Sequence, residues 1–363
     1  MAKKKFSAGL TFVCCLLALV IGFAAAFFLY TYIKRPTGGD VYVSGDLSIH
    51  FMELGNKYAG DSIYIKAGDT DILIDAGSRE SSTDTTSAYI DQYCTDGVLE
   101  YVIATHADQD HIAGFAGNNS SLSMFERYEC EVIIDFPLTD KDTQTYKRYC
   151  EKRDAEVAAG AKHYTALQWW NGEDELPRAI EVSDGVEMEI LYNYYYENRS
   201  PDENNYSVCL MFNQGDKHFL FTGDLEEDGE EYLVQYNELP EVELFKAGHH
   251  GSKTSSNDCL LSVIKPKIVC VCCCAGTDEY TDTPENQFPT QAMIDRVAQY
   301  TDRVYVTSLG DESAEGGYVS MNGNIVVKSG RGGVTVECSN NDTLLKDTQW
   351  FKENRTTPSA WLS

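Results

Sequence analysis

Basic residues are scarce in this chain. It has 29 lysines and arginines against 57 aspartates and glutamates, and its formal net charge is −28 over 363 residues. All of the acidic residues and 24 of the 29 basic ones follow Arg35, so that part carries about −33. Such a surface keeps a domain soluble and repels phosphate polymers and anionic lipid, which non-specific binders hold with lysine and arginine. The composition therefore disfavours binding to long nucleic acid.

The chain has 12 cysteines but lacks a pair of Cys-x-x-Cys units at zinc-finger spacing, which argues against a zinc-finger protein. Four of the cysteines lie in "IVCVCCCAG" at residues 268–276, which predicts a buried strand. In an exported protein this many cysteines indicate either some disulfides or an anaerobic habitat, and the sequence leaves both open. Low-complexity tracts are absent and 43% of the residues are apolar, so the chain can form a full core.

Charged residues are absent from residues 6–33, a run long enough to cross the hydrocarbon core of a membrane, about 30 Å, as a helix. A cleaved signal peptide is the alternative, but its apolar region usually has only about 7–15 residues. We predict a cytoplasmic basic end and transmembrane anchor over 1–35, followed by a linker over 36–46. The slight excess of lysine before the span favours a single-pass protein of the cell membrane with its domain outside.

Residues 47–340 are predicted to form one domain, and residues 341–363 a C-terminal tail. Short runs with strand-like alternation open the domain, and an acid-rich helical stretch follows at 142–158. A second strand series begins at "GVEMEILYN" and is interrupted by helical stretches near 226–236 and 290–300. The sequence thus contains two series of strands, each broken by helices. This pattern predicts an α/β protein with two sheets and helices packed outside them.

Histidine is also rare, with seven residues in the chain, yet two of them lie in one short motif. In "YVIATHADQDHIAG" an apolar strand leads into His106 and His111, with Asp108 and Asp110 between them. Imidazole and carboxylate groups at this spacing are typical of metal ligands, and the end of a strand is a rigid place to hold them. A polar loop without chemistry is the alternative explanation.

Further candidates follow two other apolar strands. Asp224 comes directly after the strand and tight turn in "FLFTGD", and His249 and His250 follow a strand in "FKAGHHGSKTSS". The other three histidines lack acidic or histidine neighbours at ligand spacing and are predicted to be ordinary surface or core residues. The sequence therefore indicates a metal site assembled at strand ends.

Taken in order, Asp75 in "LIDAG", "THADQDHIAG", "TGD" and "GHHGSKTSS" resemble the metallo-β-lactamase superfamily. More narrowly, they resemble the hydrolase domain of ComEC-type DNA-uptake proteins and its free-standing relatives, which have His-x-Asp-x-Asp-His where most of the superfamily has His-x-His-x-Asp-His. "GNKYAGDSIYI" and "NNYSVCLMF" match two further patterns, so the resemblance covers roughly residues 47–330. It implies an αββα sandwich with a metal site along one edge of the two sheets.

The resemblance also implies two divalent ions, zinc or manganese, about 3.5–4 Å apart with a bridging hydroxide. His106 and Asp108 would bind one ion, Asp110 and His111 the other, and Asp224 would bridge them. The carboxylate of Asp108 is a hard oxygen ligand, which favours tolerance of manganese.

Several roles at this site stay open. The predicted catalytic residues are Asp110, His250 and His249. His250 would be a ligand or the acid that protonates the leaving group, and His249 could exchange roles with it. Asp75 would orient a histidine ligand, or it is only a turn residue.

The predicted substrate contacts are polar residues near these motifs. Asn205 and Ser207 would line the cleft, and Ser252, with Thr254 and Ser255, could donate hydrogen bonds to a phosphate. A polar turn is the alternative for the last three.

One residue departs from the family pattern. ComEC-type domains carry a further Gly-His-Pro, and this chain has Phe288 at the position of that histidine, which would leave one ion a ligand short or alter the acid–base step. We predict a membrane-anchored, metal-dependent hydrolase that cleaves a small or short phosphodiester or related ester through a metal-bound hydroxide. The alternative is a degenerate relative that binds a ligand or partner without efficient catalysis. The sequence does not indicate an oligomeric state.

Overall fold

A computed structural model of the chain describes residues 47–362. The predicted anchor over 1–35 and the linker over 36–46 lie outside the described residues. Within residues 47–362, no helix has both the length and the apolar character needed to cross a membrane.

The described residues form two eight-stranded sheets. The strands are β1 (Leu47–Phe51), β2 (Ile63–Ala67), β3 (Thr70–Ile74), β4 (Val98–Ile103), β5 (Glu129–Asp135), β6 (Lys162–Thr165), β7 (Ala179–Ser183), β8 (Val186–Leu191), β9 (Cys209–Gln214), β10 (Lys217–Phe221), β11 (Leu244–Lys246), β12 (Ile268–Ala275), β13 (Val304–Gly310), β14 (Tyr318–Ser320), β15 (Ile325–Gly330) and β16 (Gly333–Cys338). The α-helices are α1 (Ser82–Ile90), α2 (Gln109–Ala116), α3 (Met124–Arg127), α4 (Gln144–Ala159), α5 (Ala166–Trp170), α6 (Glu227–Tyr236), α7 (Asp258–Ile264), α8 (Gln291–Val297) and α9 (Gln349–Asn354).

Each sheet joins an antiparallel part to a parallel part. The first sheet has the order β16-β15-β1-β2-β3-β4-β5-β6, and β3 to β6 run parallel. The second has the order β14-β13-β12-β11-β10-β9-β8-β7, and β10 to β13 run parallel. Parallel neighbours need a crossover connection, and α1 to α4 and α6 to α8 lie in these crossovers.

The pattern of β12 shows where the core lies. All of its residues are buried, and alternate side chains point to opposite faces of the sheet. Cys270 and Cys272 join the apolar cluster that contains residues of both sheets. Val271 and Cys273 join the cluster that includes residues of α6, α7 and α8. The predicted buried strand is confirmed, and so is the α/β fold with two sheets.

All ten cysteines in the described part of the chain are free thiols. The predicted tail is packed against the second sheet over residues 341–362. Leu345 and Phe351 are completely buried in the cluster beneath the helices of that sheet. The Trp361 indole N–H donates to the carbonyl of Thr301 at 3.0 Å. The domain boundaries themselves stay predictions.

Candidate metal centre

The predicted site residues follow strands that end at the same edge. Asp75 follows β3, His106 comes three residues after β4, and Asp224 follows β10. His249 and His250 lie in the turn after β11. Because β3 and β4 run parallel, as do β10 and β11, the carboxyl ends of each pair lie together. This is the edge at which α/β sheets commonly bind ligands.

Three of these residues have unusual backbone conformations. Asp75, His249 and His250 have φ angles of 57°, 46° and 54°, in the left-handed region. That conformation costs a non-glycine residue of order 1–3 kcal/mol and persists only where the surrounding structure enforces it. The fold therefore imposes the directions in which these side chains point.

Close packing fixes the helix that carries the main motif. Asp108 precedes α2, so that Asp110 and His111 lie in its first turn. A Cβ atom at Gly114 would lie 2.0 Å from the carbonyl oxygen of Ala76, so only glycine permits this approach of α2 to the chain after β3. The backbone N–H of Ala76 also donates to the carbonyl of His111 at 2.8 Å.

The ring of His111 is held between two carboxylates. Its Nδ1 lies 2.7 Å from Oδ2 of Asp75, and its Nε2 lies 3.1 Å from Oδ2 of Asp224. Asp75 also accepts hydrogen bonds from the backbone N–H of Thr105 at 2.8 Å and from its hydroxyl at 2.7 Å. Metal-binding histidines commonly donate their other ring N–H to a carboxylate in this way. Asp75 thus lies behind His111 rather than at the centre itself.

His250 is completely buried and has a similar arrangement. Its Nδ1–H donates to the carbonyl of Cys272 at 3.0 Å. Its Nε2 lies 3.1 Å from Oδ2 of Asp224 and 3.3 Å from Oδ2 of Asp110. A single oxygen of Asp224 therefore lies 3.1 Å from the Nε2 atoms of two histidines.

His106 lies beside these groups, with its ring 4.1 Å from the ring of His111. Its Nδ1 lies 3.1 Å from the hydroxyl of Thr105 and 3.4 Å from the hydroxyl of Ser207. Its Nε2 lies 3.7 Å from Oδ2 of Asp108. The Nδ1 atoms of all three histidines thus have partners away from the centre.

Two of the three Nε2 atoms have no partner that meets the geometry of a hydrogen bond. His106 Nε2 and His250 Nε2 are buried without a hydrogen-bond partner. Buried polar atoms usually have partners, and an exception calls for an explanation. Asp61, His111, Asp224 and His250 each offer one ligand atom within 4.8 Å of the others. Asp61 pairs with Lys246, whereas Asp110 and Asp224 face the Nε2 atoms of the two histidines. These imidazole and carboxylate donors lie 3.1–3.3 Å apart and could share an ion with bonds of about 2.0–2.2 Å, so they fit a divalent cation.

The electrostatics distinguish the histidines. Burial and the neighbouring His111 lower the pKa of His106 well below its ordinary value, which leaves it neutral, the form that binds metals. Burial alone would lower the pKa of His111, but Asp224 and Asp75 raise it well above the ordinary value. Burial would raise the pKa of Asp224, but His111 and the other positive groups hold it well below its usual range.

Lys246 and Asp61 are site residues that sequence reasoning missed. Lys246 ends β11, is 1% exposed, and forms an ion pair with Asp61, which is also 1% exposed. Its ammonium also donates to Oδ1 of Asp224 at 3.1 Å and to the carbonyl of Gly223 at 2.9 Å. Asp61 lies 3.3 Å from Nδ1 of His250. A lysine within the apolar run "VELFKAG" was the available signal.

A cleft of about 280 Å³ opens onto these groups. The residues that line it are Arg79, Asp108, Gln109, Asp110, Asn204, Asp224, His249 and Tyr280. The side chain of His249 is 19% exposed and lies 3.2 Å from Glu226 and 3.1 Å from the hydroxyl of Thr254. The structure thus separates the adjacent histidines, with His249 at the cleft and His250 in the interior.

The predicted substrate contacts are buried and bonded within the protein. Asn205 accepts a backbone N–H at 3.2 Å, and Ser207 accepts the backbone N–H of Asp224 at 3.0 Å. Ser252 shares a hydrogen bond of 3.0 Å with a neighbouring hydroxyl. Asn204, rather than Asn205, lines the cleft. In the structure these groups position the loops and Asp224.

Two aromatic residues lie beside the histidines, and one of them, Tyr280, lines the cleft. The ring of Phe288 lies 5.8 Å from that of His249 and 6.1 Å from that of His250. Tyr280 lies 5.2 Å from Phe288, and its hydroxyl donates to Oδ2 of Asp110 at 2.7 Å. An apolar ring therefore occupies the position where the family resemblance leads one to expect a histidine, and a phenol reaches the carboxylate next to it.

Comparison with known proteins agrees with this geometry. A sequence profile of the "Metallo-beta-lactamase superfamily" matches residues 55–117 and 199–275. "ComE operon protein 3" of Bacillus subtilis (strain 168) is 25% identical over 172 residues, which are 47% of this chain and 19% of that protein. "Competence protein ComA" of Neisseria gonorrhoeae is 30% identical over 156 residues, which are 42% of this chain and 19% of that protein. The chain thus spans about a fifth of the length of each relative.

Among solved structures, the metallo-beta-lactamase fold protein YhfI from Bacillus subtilis has a TM-score of 0.41 and 11% identity, with 72% of this chain and 95% of that chain covered. The two profile segments contain the buried histidines and carboxylates, His106 to His111 in the first and Asp224 and His250 in the second. These matches make the chain a ComEC-type relative of the metallo-beta-lactamase superfamily.

Proposed function

We propose that this protein is a metal-dependent hydrolase that cleaves a small or short phosphodiester or related ester. The observation that carries the proposal is the convergence of the buried imidazoles and carboxylates on one centre, where two Nε2 atoms lack hydrogen-bond partners. When bound there, divalent ions would polarise the ester oxygen and activate water. Zinc and manganese both suit donors of this kind.

The residues of the site would have two roles, metal binding and proton donation. His111, His250 and Asp224 would hold an ion, together with Asp110. Among the four histidines of the site, His249 is the one that lines the cleft, so it is the group positioned to meet a leaving group, and it would donate a proton there.

With divalent ions offsetting the carboxylates of Asp108, Asp110 and Asp224 in its lining, the cleft would suit an anionic group of limited size. Arg79 lines it, and Lys141 lines an adjoining cavity of about 340 Å³ that shares Asp108 with it. The acidic residues elsewhere in the chain oppose the binding of long nucleic acid, because such binding depends on neutralising phosphates with lysine and arginine. We also propose that residues 1–35 anchor the chain in the cell membrane, with this domain outside.

The test is hydrolysis of a chromogenic phosphodiester, bis(p-nitrophenyl) phosphate, by the purified full-length chain. Protein stripped with a chelator should be inactive, and manganese or zinc should restore turnover. Elemental analysis of the same samples measures metal content. A protein that binds neither metal and shows no turnover would contradict the proposal.

A degenerate binding protein is the second candidate, and Phe288 is the observation that favours it. Its ring lies against both His249 and His250, where it offers no ligand atom. This alternative predicts that the full-length chain binds metal but does not hydrolyse any phosphodiester or carboxylic ester offered. Metal content and turnover measured together distinguish the two functions.

A further inference from the structure

The donors at the centre fall into two unequal groups. Asp110, His111, Asp224 and His250 are linked by nitrogen–oxygen distances of 3.1–3.3 Å, and at most 16% of any of these side chains is exposed. The second group is His106 and Asp108, which are 3.7 Å apart, and the Asp108 side chain is 27% exposed. A divalent ion would find the first group assembled and the second group loose.

A lysine accounts for the position of Asp108. The ammonium of Lys141 forms an ion pair with Oδ1 of Asp108, and the Lys141 side chain is 32% exposed. A cation held there repels a divalent ion and occupies an oxygen that the ion would need. Two positive charges a few ångströms apart at a partly buried site repel each other more strongly than they would in water, because the effective dielectric constant there is about 20.

The lysine is held in place by its own loop. The Lys141 backbone N–H donates to the hydroxyl of Thr139 at 3.0 Å, and that hydroxyl donates to Glu203 at 2.6 Å. Glu203 also accepts the backbone N–H of Asp140 at 3.1 Å. The loop between β5 and α4 is thus fastened across the cavity that Lys141 and Asp108 share.

We propose that Lys141 makes the two metal positions unequal. The position formed by Asp110, His111, Asp224 and His250 binds an ion tightly, and the position formed by His106 and Asp108 binds weakly because Lys141 competes for Asp108. The inference rests on the proposed metal dependence and adds a residue that sets the number of ions bound at a given metal concentration.

The experiment titrates manganese and zinc into the metal-stripped full-length chain and follows binding by calorimetry and elemental analysis. The wild type should show one tight site and one site at least about tenfold weaker, a usual size for coupling between charged sites. Lys141→Met should strengthen the weaker site about tenfold and leave the tight site unchanged. Lys147→Met is the matched control, because Lys147 lies in α4 and pairs with Asp142 away from the centre, and it should bind like the wild type.

A second variant keeps the assignment testable if Lys141→Met does not fold. Asp108→Asn should remove the weaker site and keep the tight one. Two equally tight sites in the wild type, or an unchanged weaker site in Lys141→Met, would overturn the role of Lys141. Loss of the tight site in Asp108→Asn would also overturn it. A wild type that binds no ion at all would overturn the proposed metal dependence as well, so the two failures are distinguishable.

Discussion

At the scale of single residues, Asp224 joins the two sides of the site. Oδ2 faces the Nε2 atoms of His111 and His250, and Oδ1 faces the ammonium of Lys246. We expect Asp224→Ala to lower phosphodiester turnover by at least about 100-fold, since loss of outer-sphere partners alone costs about 10–100-fold. The variant should keep the far-ultraviolet circular dichroism of the wild type. Full activity would show that this carboxylate holds no ion.

Lys246 supplies the second prediction at this scale. Removing its charge in Lys246→Met leaves the carboxylates of Asp61 and Asp224 buried near each other without their cation. Breaking a buried ion pair in this way costs roughly 3–5 kcal/mol, and we expect a loss of that size in the free energy of unfolding measured with urea. The double variant Lys246→Met/Asp61→Asn should recover part of the loss. Equal stabilities of the wild type and Lys246→Met would refute the pairing.

The residues of the metal motif can be recognised in the sequence, whereas the buried ion pair of Lys246 and Asp61 cannot. His106 to His111 are adjacent in the chain, and their residue types and spacing suffice to predict a metal motif. Lys246 and Asp61 are far apart in the chain, and the two sheets bring them together. The lysine in "FKAG" signals one member of the pair, but nothing local in "GDSIYI" identifies Asp61 as its partner.

At the scale of elements, the loop over 251–257 is held from two helices. Glu230 on α6 is completely buried and accepts the backbone N–H of Ser256 at 2.6 Å and of Asn257 at 2.8 Å. Arg296 on α8 donates to the carbonyl of Ser256 at 2.8 Å. A buried carboxyl group and a guanidinium group thus hold the loop that follows the paired histidines.

Burial raises the pKa of Glu230 to about 7 from an ordinary value of 4.5. The native state therefore binds this proton more strongly than the unfolded state, and its contribution to stability is complete below pH 4.5. That contribution, about 3 kcal/mol, is lost as the pH rises to about 7. The Glu230→Gln variant lacks this titrating group. Its free energy of unfolding should therefore fall less steeply between pH 4.5 and 7 than that of the wild type. Parallel stability profiles of the two proteins, measured in urea at several pH values, would contradict the prediction.

The elements that are easiest to recognise in the sequence are the long ones. The helix expected at 142–158 is α4 (Gln144–Ala159), which begins where the Thr143 hydroxyl accepts the N–H of Tyr146 and ends at Gly160. In contrast, β6 has only four residues, and β16 is a half-exposed edge strand, so neither gives a pattern long enough to recognise. The same limit explains the tail, because its packing depends mainly on two buried residues, Leu345 and Phe351.

At the scale of the whole molecule, the net negative charge opposes the binding of the anionic substrate that we propose for the site. The chain beyond Arg35 carries about −33, whereas the cleft presents Arg79, with Lys141 in the adjoining cavity. An anionic substrate must therefore be held by contacts within the cleft, since the surface around it repels phosphate at distances up to the Debye length, about 10 Å at 0.1 M salt. A short substrate feels less of this repulsion than a long polymer does.

We therefore expect turnover of a short phosphodiester in preference to duplex DNA. Affinity for DNA depends on the number of phosphates that the protein neutralises and falls steeply with salt when that number is large. Binding of duplex DNA should thus be weak at low salt and change little as salt is added. The measurement compares turnover of bis(p-nitrophenyl) phosphate and binding of fluorescent duplex DNA by the metal-loaded full-length chain over a series of salt concentrations. Because the acidic surface opposes any extended phosphate contact, tight binding to duplex DNA that weakens steeply with salt would refute the charge argument and support a DNA-processing role.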